Sequence, residues 1–341
     1  MNSRERVIRA IEFRGPDRVP MLHVVLPAAA AHFGHALEDL LTEFPDDHGG
    51  WWKTLAFTSS PAYRSGRHVD QWGCVWRSVR SGMMGRVVYS PLSEWDNFRG
   101  YRFPPAPSRE EFDAVGDEIE RSGHSYYVFG SGGVFGACSM FELMIALRGY
   151  ENIMLDLATS DRMLYRLRDR LLEYHLERLR QDAQTAADGI GFADDWGTQA
   201  ALVIDPHLWR RFFRPAYKAM FAVVRAAGKH VHFHTDGFTY DILGDLIDIG
   251  ASVLNVQHSV MDIQAIGREF GGKVAFRSDV DCQQILQHGT RQRVFDHVRE
   301  IIDCLGSYDG GLIGHGEVEP DMPLRNIRWM LEAFRELGTY S

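Results

Sequence analysis

Cysteine is scarce: the 341 residues hold four, Cys74, Cys138, Cys282 and Cys304, and none sits in a Cys-x-x-Cys pair. That pattern excludes a zinc ribbon and a dithiol redox motif. So few thiols in so long a chain do not make a disulfide framework, and a reducing compartment is expected. Long apolar runs are missing too, none approaching the ~18 residues that span a bilayer. Residues 1–14 are charged and lack the apolar core of a secretion signal, so a cytoplasmic location is expected. Positive charge is not in excess, with 37 Lys and Arg against 46 Asp and Glu and a formal net charge of −9. That balance argues against a nucleic-acid partner and against attraction to anionic lipid. No Gly-x-Gly-x-x-Gly follows any strand-like segment, which weighs against a dinucleotide-binding open sheet. Repeats and low-complexity tracts are absent.

What is there is a rhythm. Asn2 and Glu5 open a charged N-terminal helix that Gly15-Pro16-Asp17 breaks, and 18–25 reads as a first strand. Residues 26–125 are irregular, with Trp51-Trp52 and a proline-rich stretch at 104–107, and read as insertions or hairpins near one barrel mouth. From 126 onward the pattern is regular. Strands are expected at 126–130, 189–193, 229–234, 252–257, 273–278 and 311–314. Helices are expected at 139–157, 160–186, 205–227, 240–249, 263–270, 291–305 and 323–337. Strands alternating with helices imply a parallel sheet built from crossover units. The short connections predict one domain over 1–341, an α/β chain folded as a (β/α)8 TIM barrel with N-terminal insertions at its mouth.

The strand ends carry the chemistry. The strand at 189–193 runs into Asp194 and Asp195, that at 229–234 into Asp236, and that at 252–257 into His258 by way of Gln257. The strand at 273–278 runs into Asp279 and Asp281, and that at 311–314 into His315 and Glu317. In a βα barrel these ends converge on one mouth, where catalytic groups sit. A lone Asp there can simply cap the next helix, but capping does not favour histidine. His230, His232 and His234 alternate on one strand, so they share a face that should point into the barrel, while Val231 and Phe233 meet the helices. His234 lies nearest the mouth, and His230 reads as a hydrogen-bonded structural residue. His234 with Asp236 suits a divalent metal, acid–base work, or a turn in which Asp236 has no further role. Adjacent Asp194 and Asp195 point to opposite sides, one to the lumen and one to a helix cap. Trp196 and Tyr240 read as aromatic walls of the site or as core.

Several segments resemble one family: Arg14-Gly15-Pro16-Asp17-Arg18-Val19-Pro20, Asp70-Gln71-Trp72-Gly73, Glu142 to Glu151, Lys229 to Gly237, Phe276 to Gln283, and Gly310 to Asn326. In order and spacing they resemble the uroporphyrinogen decarboxylase superfamily. The resemblance implies a deep C-terminal mouth and one of two activities. One branch decarboxylates a porphyrinogen without a cofactor, using an arginine-rich N-terminal loop, whereas Leu22 to Ala29 here contains no arginine. The other moves methyl groups to or from a separate corrinoid protein, using zinc held by a His-x-Cys pair and a later cysteine. His234 matches that histidine, Asp236 stands at the first cysteine position, and Glu317 falls near the second. This donor set is harder than thiolate and better suited to activating a substrate oxygen.

The leading expectation is therefore metal-assisted methyl transfer or demethylation of a small molecule. His234, Asp236 and Glu317 would hold Zn2+, His234, Asp195 and Asp236 would carry the chemistry, and a corrinoid protein would be the partner. Asp194, Gln257, His258, Arg277, Asp281 and His315 are the expected substrate-binding residues. The alternatives are a cofactor-free decarboxylase, with Arg277 holding substrate carboxylates, and a barrel that binds a small molecule without catalysis. A homodimer is the oligomeric state entertained.

Overall fold

The computed structural model describes residues 1–58, 60–105, 108–133 and 138–340. Strand β1 is Val24–Val25; β2 (Gly66–Val69), β3 (Val75–Ser78) and β4 (Arg86–Tyr89) form an antiparallel meander. The parallel strands are β5 (Gly189–Ala193), β6 (His230–Thr235), β7 (Val253–Val256), β8 (Ala275–Arg277) and β9 (Leu312–Ile313), side by side in chain order. Strand β10 (Glu317–Val318) pairs in parallel with β1.

The ring closes through backbone bonds too short to make regular strands. Met21 bridges Gly314 in parallel, the Asp47 amide donates to the Met21 carbonyl at 2.9 Å, and the Tyr127 amide donates to the Asp47 carbonyl at 3.2 Å. Phe129 then bridges Gly189, completing a (β/α)8 barrel. Asp47, fully buried, anchors this closure: it takes Arg6 Nη1 at 2.7 Å and Arg18 Nη1 at 2.8 Å. Arg6 also bonds Asp17. The Gly15-Pro16-Asp17-Arg18 segment is thus a clasp on the barrel floor. Loss of either arginine would leave a buried carboxylate short of a partner.

The strand expected at 126–130 is reduced to the single bridge of Phe129, and the other expected strands and helices from 139 onward occur with two differences. Gly149, at φ +92°, splits the first long helix into Phe141–Arg148 and Tyr150–Thr159. The helix expected at 205–227 breaks at Phe213, because Pro215 starts a new helix, Arg214–Ala226. The irregular third folds as expected only in part. It holds the meander, but also helices Pro27–Phe33, His35–Glu43 and Arg109–Ser122.

Phe233 packs its ring on Tyr217 and Phe221 of the helix outside. The alternate face of β6 carries the three histidines inward. The Tyr127 hydroxyl lies 3.0 Å from His230 Nδ1 and 2.8 Å from His232 Nε2, with His232 buried in the lumen. Space for this network comes from Gly189, where a Cβ would stand 2.2 Å from the Tyr127 hydroxyl and 2.9 Å from His232. His230 Nε2 also reaches Glu12, which ties the N-terminal helix to the floor.

Candidate active site and metal centre

The loops after β5 and β6 form the working edge of the mouth. They are laced by backbone: the Gly197 amide donates to the Asp236 carbonyl at 2.9 Å, and the Phe238 amide to the Thr198 carbonyl at 2.7 Å. Any Cβ on Gly237 would meet the Gly197 carbonyl carbon at 2.2 Å, and Gly237 also sits at φ +79°. Only glycine lets the loops approach this closely. The contact sets the two carboxylates together, with the Asp236 amide donating to Asp195 Oδ1 at 3.0 Å.

His234 rises from β6 between them. Its Nε2 lies 3.7 Å from Asp195 Oδ1 and 3.8 Å from Asp236 Oδ1. One ligand atom from each of Asp195, His234 and Asp236 falls within 4.8 Å of the others, a spacing that fits a divalent cation. Three donors on one side leave further positions open, as a catalytic ion requires.

The other imidazole nitrogen is fixed by Asn255 on β7. Asn255 Nδ2 donates to the carbonyls of Arg277 at 3.1 Å and Ser278 at 3.2 Å. Carbonyls only accept, so the amide cannot be turned round, and Oδ1 must face His234 Nδ1, 2.6 Å away. His234 therefore carries its proton on Nδ1 and turns its Nε2 lone pair toward the two carboxylates. A lone pair facing two anions calls for a cation between them, either a second proton or a metal. An outer hydrogen bond on the far nitrogen is also how metal-bound histidines are oriented.

These groups line a mouth cavity of about 460 Å³, together with Gln257, Asp279, Cys282, His315, Glu317 and Glu319. Five carboxylates reach it, and among the described residues no Lys or Arg lines it. Burial pushes Glu317 up to about 8, helped by Asp236 and Glu319, and pushes Asp279 well above the usual carboxylate range, helped by Asp236 and Glu317. Burial and the surrounding acids also push the Cys282 thiol up, so it is no ready thiolate ligand. Tyr63, near the meander, lies close enough to Glu317 to be raised by it, though burial is the larger cause.

The expected site residues divide. His234, Asp195, Asp236, Gln257, His315 and Glu317 line the cavity. Glu317 stands outside the convergent donor group, where Asp195 takes its expected place. Asp194 is absent from the mouth. It is buried behind Asp195, where its carboxylate accepts from Ser139 Oγ, the Met140 and Glu142 amides and the Tyr217 hydroxyl at 2.5–2.8 Å, capping helix Phe141–Arg148. His258 also lies beneath the surface, its Nε2 accepting from the Asp279 amide at 3.0 Å. Asp281 spends one oxygen on the Gln283 and Gln284 amides, a turn cap outside the lining. Arg277 is only 2% exposed and does not line the cavity; its guanidinium bonds Asn255 and sits below Glu317, Asp279 and Asp236. Trp196 is core, stacked on Phe141 at 4.1 Å.

Asn255 was not singled out from the sequence, and Asp279 was noted at a strand end but not chosen as a site residue. A lone Asn in the otherwise apolar Val253–Val256 was the available signal for the first. For the second, Asp279 lies two residues beyond Arg277, the last residue of β8, and so stays nearer the strand end than Asp281.

A closed parallel barrel with a polar cavity at the C-terminal ends of its strands is the architecture of barrel enzymes. Residues 85–337 match the family model described as Uroporphyrinogen decarboxylase (URO-D), and the chain belongs to this family. Its members are enzymes, decarboxylases or methyltransferases. Among solved structures, a methyltransferase from Methanosarcina mazei is similar over 98% of this chain and 99% of its own, at 16% identity and a TM-score of 0.65, and so shares the fold. The 3-keto-D-glucoside 4-epimerase of E. coli overlaps 50% of this chain and 72% of its own, with 14% identity and a TM-score of 0.35, too distant to bear on the site. No curated protein matches the chain in sequence. No helix among the described residues is long and apolar enough to cross a membrane.

Proposed function

We propose that the chain is a metal-assisted methyltransferase that demethylates a small molecule, and that a separate corrinoid protein accepts the methyl group. The observation that carries this is the convergence of Asp195, His234 and Asp236, with Asn255 turning the His234 lone pair toward the carboxylates. A divalent ion held there would act as a Lewis acid toward a substrate ether oxygen. Asp195 and Asp236 hold their carboxylates in place through the loop contacts, and Asn255 keeps His234 in one tautomer. Gln257 braces the turn by accepting from the Gly237 amide at 3.0 Å. The C–O bond breaks with its electron pair left on oxygen, and the methyl group passes to a nucleophile presented at the mouth.

Decarboxylation of a polycarboxylate fits less well. Five acidic side chains line the cavity, and Arg277, the one guanidinium at hand, is occupied beneath it. Among the described residues that line the cavity, no Lys or Arg is there to receive a substrate carboxylate. The test is methyl release from methoxyarenes to added cob(I)alamin, before and after exhaustive chelation. Activity lost on chelation and restored by zinc supports the reading. A decarboxylation that survives chelation would replace it.

A further inference from the structure

We infer that the substrate carries a protonated amine, bound on the wall of the mouth formed by Glu317 and Asp279, with His315 Nε2 as a further hydrogen-bond acceptor. This rests on reading the mouth as the active site and goes beyond it by naming the substrate class.

The wall has more acceptors than the protein satisfies. His315 is 2% exposed and lines the cavity. Its Nδ1 lies 2.7 Å from the Ser278 carbonyl, which can only accept, so Nδ1 bears the proton. Nε2 is then a bare acceptor, and it is buried with no hydrogen-bond partner among the described residues. Ser278 locks the ring in place, since its hydroxyl donates to the His315 carbonyl and accepts from the His315 amide, each at 2.7 Å. An orphaned acceptor in so rigid a setting is costly unless a ligand completes it. The ligand group facing it must be an N–H or O–H donor.

Charge decides which. Five carboxyl side chains and, among the described residues, no Lys or Arg line the cavity, so a cationic group on the ligand is favoured over an anionic one. Glu317 and Asp279 both line the cavity and lie close enough to repel each other, a pair of acceptors that one cationic N–H group can bridge. Among the described residues the lining contains no Phe, Tyr or Trp ring. The cation is therefore recognised through its N–H bonds, which excludes a quaternary ammonium held by ring faces. A primary or secondary amine meets all three demands.

The test uses the full chain loaded with zinc and three matched probes: 4-methoxybenzylamine, 4-methoxybenzyl alcohol and 4-methoxybenzoate, each titrated calorimetrically. The amine is expected to bind about tenfold or more tighter than the alcohol, with the benzoate weakest. Glu317→Gln and Asp279→Asn should each weaken the amine about tenfold and leave the alcohol unchanged. Absence of an amine preference, including absence of amine binding, overturns the inference, as does equal weakening of all three probes in the variants. Repeating the titration on chelated protein separates the two readings. Amine preference without a zinc site sinks the metal and keeps this inference; a zinc site without amine preference does the reverse.

Discussion

Asn255 is the most revealing residue to perturb, because it does two separable things. Its Oδ1 fixes the His234 tautomer and also accepts from Arg277, while its Nδ2 satisfies two buried carbonyls. Asn255→Leu strips all of these at nearly constant volume. Four groups are stranded at about 1–3 kcal/mol each, so the variant should lose at least about 4 kcal/mol of stability. For a chain of this size that is a fall of at least about 5 °C in melting temperature. Loss of the outer partner of a metal-bound histidine weakens metal about 10–100-fold. Asn255→Asp keeps an acceptor on His234 Nδ1 but turns its second oxygen on the two carbonyls. It should therefore also be less stable, yet bind zinc within about threefold of wild type. Zinc affinity by competition with a chromogenic chelator, alongside thermal melts, reads both effects. A folded Asn255→Leu protein that binds zinc as wild type does would refute the tautomer argument.

Further outcomes follow from the same geometry. Asp194→Ala removes a buried acceptor of four hydrogen bonds and should destabilise the chain by about 3–5 kcal/mol in denaturant melts; an unaffected melt with lost activity would make it a site residue instead. Gly237→Ala forces backbone against Gly197 at φ +79°, and should cost zinc affinity and stability together; wild-type zinc affinity would show that the loops are not so coupled. Burial first, then Asp236, Glu319 and Asp195 with Arg277 opposing, pushes Glu317 up to about 8 when folded, so the folded metal-free protein holds a proton that the unfolded chain releases near 4.5. Its contribution to stability is thus full below about 4.5 and declines toward 8, by at most about 1.4 kcal/mol per pH unit. Melts of metal-free protein should flatten with pH in Glu317→Gln, and an unchanged slope would contradict the shift.

The second half of the barrel was legible because β5 to β9 are apolar, helix-separated and regular. The same regularity showed that the three histidines of β6 share a face. Of the first staves, those at 18–25 and 126–130 were read as strands, but the one between them was not legible, since Asp47 closes the ring with two backbone bonds and leaves no strand pattern in the sequence. At the mouth, alternation placed Asp194 and Asp195 on opposite sides but could not say which was inward; four donors around Asp194 decide it. Choosing Asp281 over Asp279 overlooked a local signal, since an Asp two and three residues before free amides makes a turn cap. Arg277 was expected to hold substrate carboxylates in a decarboxylase. Its burial under Asn255 shows a charge used to organise the floor of the site.

The most direct test of the central claim is metal content. Protein purified without chelators, wild type beside His234→Ala, should be compared by elemental analysis and by zinc uptake after stripping. The account predicts near-stoichiometric zinc in the wild type, lost in a His234→Ala protein with an unchanged circular dichroism spectrum. Zinc absent from both, with no uptake on adding it, would contradict the metal reading and make Asp195 the residue to test as a proton donor in decarboxylation.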